Sequence, residues 1–500
     1  MKISFLFLLI PILSFSQVQV GQTLLGDTPS NQFGSNISMS SDGTVLAVSE
    51  EFSDSNGTNA GSVTVFTLQG DTWVQLGQEL IGEGPLDRSG SAVSISSDGS
   101  IIAIGARNND LDPNDNTGSR PGHARIYEFD GNSWIQKGAD IDGEGNINEF
   151  GVSLSISSDG SRVAVGAPFH DTGGQNSGRV RVFDFEAGDW MTEGQPIDGV
   201  APNDDLGRKV VLSGNGSIMA VGSPLFDVNG VSAVGRVQMF ENQNGTWIQI
   251  GSDIVGEALL DFWGDQGGIS LSEDGSVVAI SSTNFDSAVG DSVGLVRVFN
   301  FNGGDWQQVG QDLIGNQEQE ELGFSIALSA DGNILATAAV FNDFLGFGTG
   351  RVEVYQNINN TWETVGNTIY GEEEGDVAGS SLEFAANGNL LAIGSLGAQN
   401  TSDVAVGNVR LYDYSDEILS TEEIDHQLFS VFPNPASTMV TIQLNASENF
   451  KKVYIYNVVG QLVMNAQTVQ LDVSSLDNGI YFLEIETTEG KITSEKLIIK

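Results

Sequence analysis

A turn glycine returns seven times along this chain, at Gly43, Gly99, Gly160, Gly216, Gly275, Gly332 and Gly388, with intervals of 56, 61, 56, 59, 57 and 56 residues. Nothing else restricts the fold so strongly, because each return brings the same local pattern with it. In the copy at residues 150–199, three runs alternate apolar and polar residues: Val152–Ile156, Arg162–Val165 and Arg179–Phe185. A fourth follows at Trp190–Ile197. Alternation sends successive side chains to opposite faces of a sheet, so each run predicts a strand. Ser158-Asp159-Gly160 joins the first two runs, and Gly there accepts the positive φ of a tight hairpin turn. Each turn glycine is followed by an apolar run with an alanine at the same place: Ala47, Ala103, Ala164, Ala220, Ala279, Ala336 and Ala392. A small residue at one place in every copy predicts close approach by a neighbouring strand. The fourth run carries a Trp and, four residues on, a Gly, from Trp73/Gly77 to Trp362/Gly366. That regular place predicts packing between units rather than ligand stacking.

Seven four-stranded units at this period predict an all-β, seven-bladed β-propeller over residues 17–415. The seventh copy has three strands only, while 17–22 (Gln-Val-Gln-Val-Gly-Gln) matches the fourth-strand pattern with Gln17 in place of Trp. The strand at 17–22 is therefore expected to complete the last blade. Residues 1–16 read as a cleavable signal peptide: Lys2, the apolar run Phe5–Leu13, then the small residues Ser14 and Ser16. That run is short for a membrane span. Residues 416–427 form an acidic linker, and 428–500 alternate and turn like a small antiparallel, Ig-like β-sandwich of about seven strands.

Twenty Lys and Arg against 66 Asp and Glu give a formal charge of −46. Phosphate recognition rests on clustered cations, so nucleic acid is excluded as a partner, and acidic lipid surfaces are disfavoured. The expected state is a soluble monomer that does not span the membrane. The chain has no Cys, which rules out disulfides, thiolate zinc sites and Cys nucleophiles. His123, His170 and His426 are scattered in sequence, against a multi-His metal centre.

Strand direction sorts the connections onto two faces. First-to-second and third-to-fourth strand turns are short and share one face; the longer second-to-third and inter-unit connections share the other, where binding is expected. On that second face an Asp recurs five residues past the second strand: Asp54, Asp110, Asp171, Asp227, Asp286 and Asp343, with Gln399 in the seventh copy. Each accepts hydrogen bonds from its own loop, or some loops gather oxygens around Ca²⁺. The best local Ca²⁺ candidate is Asp110, Asp112, Asn114 and Asp115, in a loop that lacks the glycine and glutamate of an EF-hand. Trp263, in the irregular stretch Leu259–Asp265, is the one Trp that is a candidate for an exposed contact residue rather than packing. The ligand-face candidates are thus Asp54, Asp171, Asp227, Asp286, Asp343 and Trp263. No catalytic constellation and no certain cofactor emerge.

Phe150-Gly151 followed by Gly166-Ala167-Pro168 resembles the FG-GAP repeat of integrin α-subunit propellers and many bacterial surface proteins. Other copies keep parts of it: Phe33-Gly34, Leu206-Gly207, Leu322-Gly323, Gly222-Ser223-Pro224 and Gly105-Ala106. The resemblance implies a seven-bladed propeller. Its usual calcium loop, DxDxDG between the first two strands, is replaced here by Ser-Asp-Gly turns. Residues 428–500 are similar to the type A C-terminal sorting domain of the type IX secretion system, through Pro433, Asn434, Pro435, Gly460, Gly479 and Tyr481. That resemblance implies the secretion machinery as a partner, passage through the periplasm, then release or display at the outer surface. The expected function is a secreted or surface, non-catalytic binding or adhesion propeller with an extracellular protein or polysaccharide ligand. The alternatives are a secreted polysaccharide-active enzyme (glycosidase or lyase) and a structural matrix protein.

Overall fold

Alternation is realised as pairing. In the third copy Ser153–Ile156, Arg162–Ala167, Arg179–Glu186 and Asp189–Thr192 lie side by side and antiparallel, and the short strand Ile197–Asp198 also pairs with Arg179–Glu186. This computed structural model describes residues 17–110, 120–265, 268–402, 404–415, 418, 429–432, 434–444, 450–457, 462–476, 478–487 and 492–500. Every regular element among them is a strand. The chain divides into two units, Met1–Ile418 and Leu419–Lys500.

The first unit holds seven antiparallel sheets of four or five strands, numbered here by the chain order of their turn glycines. The seventh sheet takes Val18–Gln19 as its outer strand, with Val18 opposite Asp413 and Gln19 opposite Tyr412, and Leu24–Leu25 pairs with Val409 and Asn408. The turns tie the sheets into a cycle. Backbone N–H groups donate from Ser41 to Ser97, Ser97 to Ser158, Ser158 to Gly214, Gly214 to Glu273, Glu273 to Ala330, Ala330 to Ala386, and Ala386 back to Ser41, at 2.7–3.0 Å. Donors that return to their origin make the unit propeller-like rather than an open stack. A cycle also explains why second strands such as Arg162–Ala167 read as continuous apolar runs: sheets lie on both sides, and Val163, Ala164 and Val165 are fully buried.

Each Trp of the fourth strand packs under the preceding sheet. A Cβ at Gly77 would sit 2.8 Å from Trp134 Cδ1, and one at Gly310 would sit 2.6 Å from Trp362 Cδ1, so only glycine lets the indole that close. The indole N–H of Trp134 donates to Leu76 O, and that of Trp190 to Lys137 O. At the seventh junction Gln17, in the place of Trp, donates to Asn367 O. A buried indole removes about 200 Å² from water, so these wedges are a principal source of inter-sheet stability.

The second unit has a three-stranded sheet (Phe429–Phe432, Met439–Leu444, Gln470–Asp472). Beside it in the chain is a four-stranded one (Leu462–Ala466, Phe450–Asn457, Gly479–Thr487, Ile492–Ile499). Val440, Ile455, Leu483 and Leu497 from both sheets form one dry core.

Candidate ligand face and central channel

The short-turn face and the long-loop face use Asp differently. In the Ser158-Asp159-Gly160 turn, Asp159 Oδ1 accepts from Ser157 Oγ (2.7 Å), Ser161 Oγ (2.7 Å) and the Ser161 N–H (2.9 Å). Partial burial would raise its pKa, but these hydrogen bonds outweigh it and hold the carboxyl below the usual range; Asp42, Asp98 and Asp274 behave alike. A carboxylate oxygen already committed to three donors does not suit Ca²⁺, so these turns do not fit the calcium cage of the FG-GAP family.

On the long-loop face the repeated Asp staples its own loop. Asp54 Oδ1 accepts the Asn59 N–H (2.8 Å), Asp171 that of Asn176 (2.8 Å), Asp227 that of Ala233 (2.9 Å), Asp286 that of Ser292 (2.8 Å) and Asp343 that of Gly348 (2.7 Å). Asp110 lies at the edge of a loop whose Asp112, Asn114 and Asp115 fall outside the described residues. In the connections between sheets, burial pushes Asp87 and Asp205 up to about 6. Hydrogen bonds from the Gly84 N–H and Asn109 oppose this at Asp87, and Arg208 opposes it at Asp205.

Trp263 is not a contact residue: it is 1% exposed. It fills the Phe position of the fifth sheet's Phe-Gly half-motif, ahead of Gly264 at φ +87°, just as Phe150 precedes Gly151 at φ +91°. Its backbone bridges to Gly235 as Leu206 bridges to Gly178, and its ring meets Phe299 edge-on at 6.3 Å with the Arg297 guanidinium above it at 5.5 Å. The second sheet uses Ser89-Gly90 in the same place. The position is buried in all seven sheets, down to Ala378 in the seventh. Only the following glycine, with its positive φ, is constrained in identity.

Glu83, His123 and Asp140 place ligand-type atoms within 4.8 Å of one another. His123 Nδ1 is buried without a hydrogen-bond partner, and burial, reinforced by Arg125, pushes its pKa down to about 4. Arg125, however, already bridges both carboxylates. The fifth sheet repeats the arrangement as Glu257, Arg297 and Asp312 with Leu295 in the place of His123. The acids are therefore guanidinium partners. The same inter-sheet pairing recurs as Glu144 with Arg181 and Glu372 with Arg410, and Glu320 pairs with Arg351 from neighbouring positions.

Along the axis runs a channel of about 770 Å³ lined by the first strands of the sheets. Ser38, Ser94, Ser155 and Ser270 turn their hydroxyls into it only to accept N–H groups of the next sheet, Ile95, Ile156, Leu212 and Leu328. Two residues nearer the start of their strands, Asn36, Ser153, Ser325 and Ser381 donate to the Gly90, Gly207, Gly379 and Gly34 carbonyls of the next sheet. In the fourth sheet this place belongs to Lys209, and in the seventh sheet Glu383 stands where Ser38 stands in the first. Burial pushes Glu383 up to about 7, against the pull of Lys209, and depresses Lys209, against that of Glu383. Sequence reasoning misses this pair; its one signal is a Lys and a Glu at positions that elsewhere hold uncharged residues such as Asn36, Ala92, Ser38 and Ala327.

In the second unit Asn434 Oδ1 accepts the Ile498 N–H (2.9 Å), Ala436 exchanges backbone bonds with Ile498 and Lys500, and Tyr481 is buried. Gly479 opens its strand opposite Ile499. Pro433 and Gly460 fall outside the described residues.

No curated protein matches the chain. A putative 6-phosphogluconolactonase from Bacteroides uniformis is 15% identical over 68% of this chain and 85% of its own, with a TM-score of 0.44. The periplasmic gluconolactonase of Pseudomonas aeruginosa is 17% identical over 68% and 86%, at 0.43. PorZ of Porphyromonas gingivalis, described as an essential surface component of the type-IX secretion system, is 13% identical over 91% and 64%, at 0.35. No helix among the described residues is long and apolar enough to cross a membrane. Residues 430–500 match the family model described as the secretion system C-terminal sorting domain. The chain thus carries a type IX sorting domain at its C-terminal end and is exported to the cell surface or extracellular space.

Proposed function

We propose that the exported protein is a non-catalytic binding or adhesion module: a seven-bladed β-propeller presented by an Ig-like sorting sandwich. In this proposal residues 1–16 are the signal peptide, 416–427 the linker, and the long-loop face takes an extracellular protein or polysaccharide. One observation carries it. The Asp-to-backbone staple recurs in five sheets while the residues it frames differ: Ser55-Asn56 in the first, Thr172-Gly173 in the third, Phe344-Leu345 in the sixth. A fixed frame with unlike tips is how rigid scaffolds carry recognition. Glycan and protein arrays probed with the full chain, with and without calcium, test it. Ligands whose binding is lost on tip substitutions but kept on turn-face substitutions support it; ligands indifferent to the tips overturn it.

A second function is favoured by Glu383. A carboxyl held near neutrality in a deep channel, facing a lysine, has the form of a general acid–base site, as a polysaccharide-active enzyme requires. Activity on polysaccharide panels that disappears in Glu383→Gln, with folding intact, would establish it; activity unchanged by that substitution would remove it.

A further inference from the structure

The loop between Ile334–Ala339 and Arg351–Ile358 of the sixth sheet holds its shape without help from its largest side chains. Asp343 Oδ1 takes the Gly348 N–H, Asn342 Nδ2 donates to Gln317 and Glu320, Thr349 Oγ1 donates to Asn342 O, and Phe347 O accepts the Gly375 N–H. The tip nevertheless turns three bulky apolar side chains outward: Phe344 is 66% exposed, Leu345 58% and Phe347 76%. Phe344 is propped by Tyr370, stacked at 5.3 Å. The first and third sheets build the same five-residue staple with Ser55, Asn56 and Thr58, and with Thr172, Gly173 and Gln175, at the corresponding places. The frame does not need apolar residues there, and a contiguous exposed apolar cluster marks an interaction surface.

The rim decides what can sit on it. Asp343, Glu373 and Glu374 are exposed around the cluster, and the Glu374 side chain lies against Gly346. The nearby cations are already used: Arg351 is buried between Glu320 and Glu353, and Arg410 is buried on Glu372. Against a chain of formal charge −46, an anionic lipid surface would be repelled. Building on the proposal that the long-loop face is the recognition surface, we propose that the Phe344–Phe347 tip docks a cationic amphipathic polypeptide. This is a protein segment whose apolar or aromatic side chains enter between Phe344, Leu345 and Phe347 while flanking Lys or Arg meet Glu373, Glu374 and Asp343. Aromatic contacts would supply the hot spot and the acidic rim the approach and register.

The test uses the full chain and a fluorescent peptide of about fifteen Lys, Leu and Trp residues, with a Glu-for-Lys version and phosphatidylglycerol vesicles as controls. The expected result is saturable binding of the Lys peptide, about tenfold weaker in F344S/L345N/F347T, which transplants the first sheet's tip. Binding should also weaken between about 50 and about 500 mM salt, less steeply in E373Q/E374Q. Equal binding by the triple variant overturns the proposal, as does preference for the Glu peptide or the vesicles. Array ligands lost on changing the tips of other sheets, but unaffected by the triple variant, would sink this assignment and leave the loop-face proposal standing.

Discussion

The two faces of the ring are built from the same residue, Asp, and put it to opposite uses. On the short-turn face the Asp of a first-to-second-strand turn, such as Asp42, Asp159 or Asp274, is locked by Ser or Thr hydroxyls and a backbone N–H, and these turns hydrogen bond to one another around the cycle. On the long-loop face each repeated Asp, from Asp54 to Asp343, secures a single N–H and leaves the rest of the loop to vary. One face closes the ring; the other carries differences. The lesson is that a repeated residue is a poor guide to a binding site when the repeat itself needs it, and that the informative positions are those where the frame is kept and the side chains change.

The contrast can be broken in order of expected effect. Removing a ring wedge should cost most: Trp134→Ala is expected to lose ~3–5 kcal/mol in denaturant unfolding. A loss below ~1 kcal/mol would mean the indole is not what joins the first two sheets. Next come the two kinds of Asp. Asp159→Ala should cost ~1–2 kcal/mol and Asp171→Ala about half of that, since three accepted hydrogen bonds are lost against one. Equal costs would erase the distinction between the faces.

Acidity separates Asp159 from Asp87 by sign. The depressed pKa of Asp159 gives stability that is present above the unfolded value of 3.8 and is lost as pH falls below it. Asp87, raised to about 6 from 3.8, gives stability that is full below 3.8 and is lost as pH rises through about 6. Thermal melts should therefore show Asp159→Asn flattening the acid limb, while Asp87→Asn flattens the decline between pH 4 and 6. A variant moving the other limb would refute the assignment. Smallest of all, F344S/L345N/F347T should leave the melting temperature within about 1–2 °C of the parent, because exposed substitutions away from structural features change stability by about 0.5 kcal/mol or less.

Much of the fold was legible because it is locally encoded. Asp-Gly turns, period-two alternation and the Trp/Gly spacing are short-range signals that repetition amplifies. Less legible were features set by partners in another copy. The stretch around Trp263 reads as irregular, since only Gly264 keeps the half-motif while its predecessor is free to be Phe, Leu, Ser, Ala or Trp. The Trp backbone is held by Gln78 before Trp134 and by Gln311 before Trp362, but where Gln is missing, Asp189 and Asp305 bond back to Ala139 and Ser252 instead. That exchange is written in the sequence, yet it has meaning only once neighbouring sheets are known.

By itself the amino-acid order determined an all-β repeat, its turns, the strongly negative charge, and a C-terminal segment that directs export. Those properties depend on residues close together in the chain or on simple sums over it. Only the tertiary structure decided that Trp263 is core, that Glu83 and Asp140 belong to Arg125, that Lys209 and Glu383 share one channel, and that Phe344, Leu345 and Phe347 stand in solvent. Burial and pairing are set by what the ring brings alongside a residue, and ring closure joins positions that no local pattern connects.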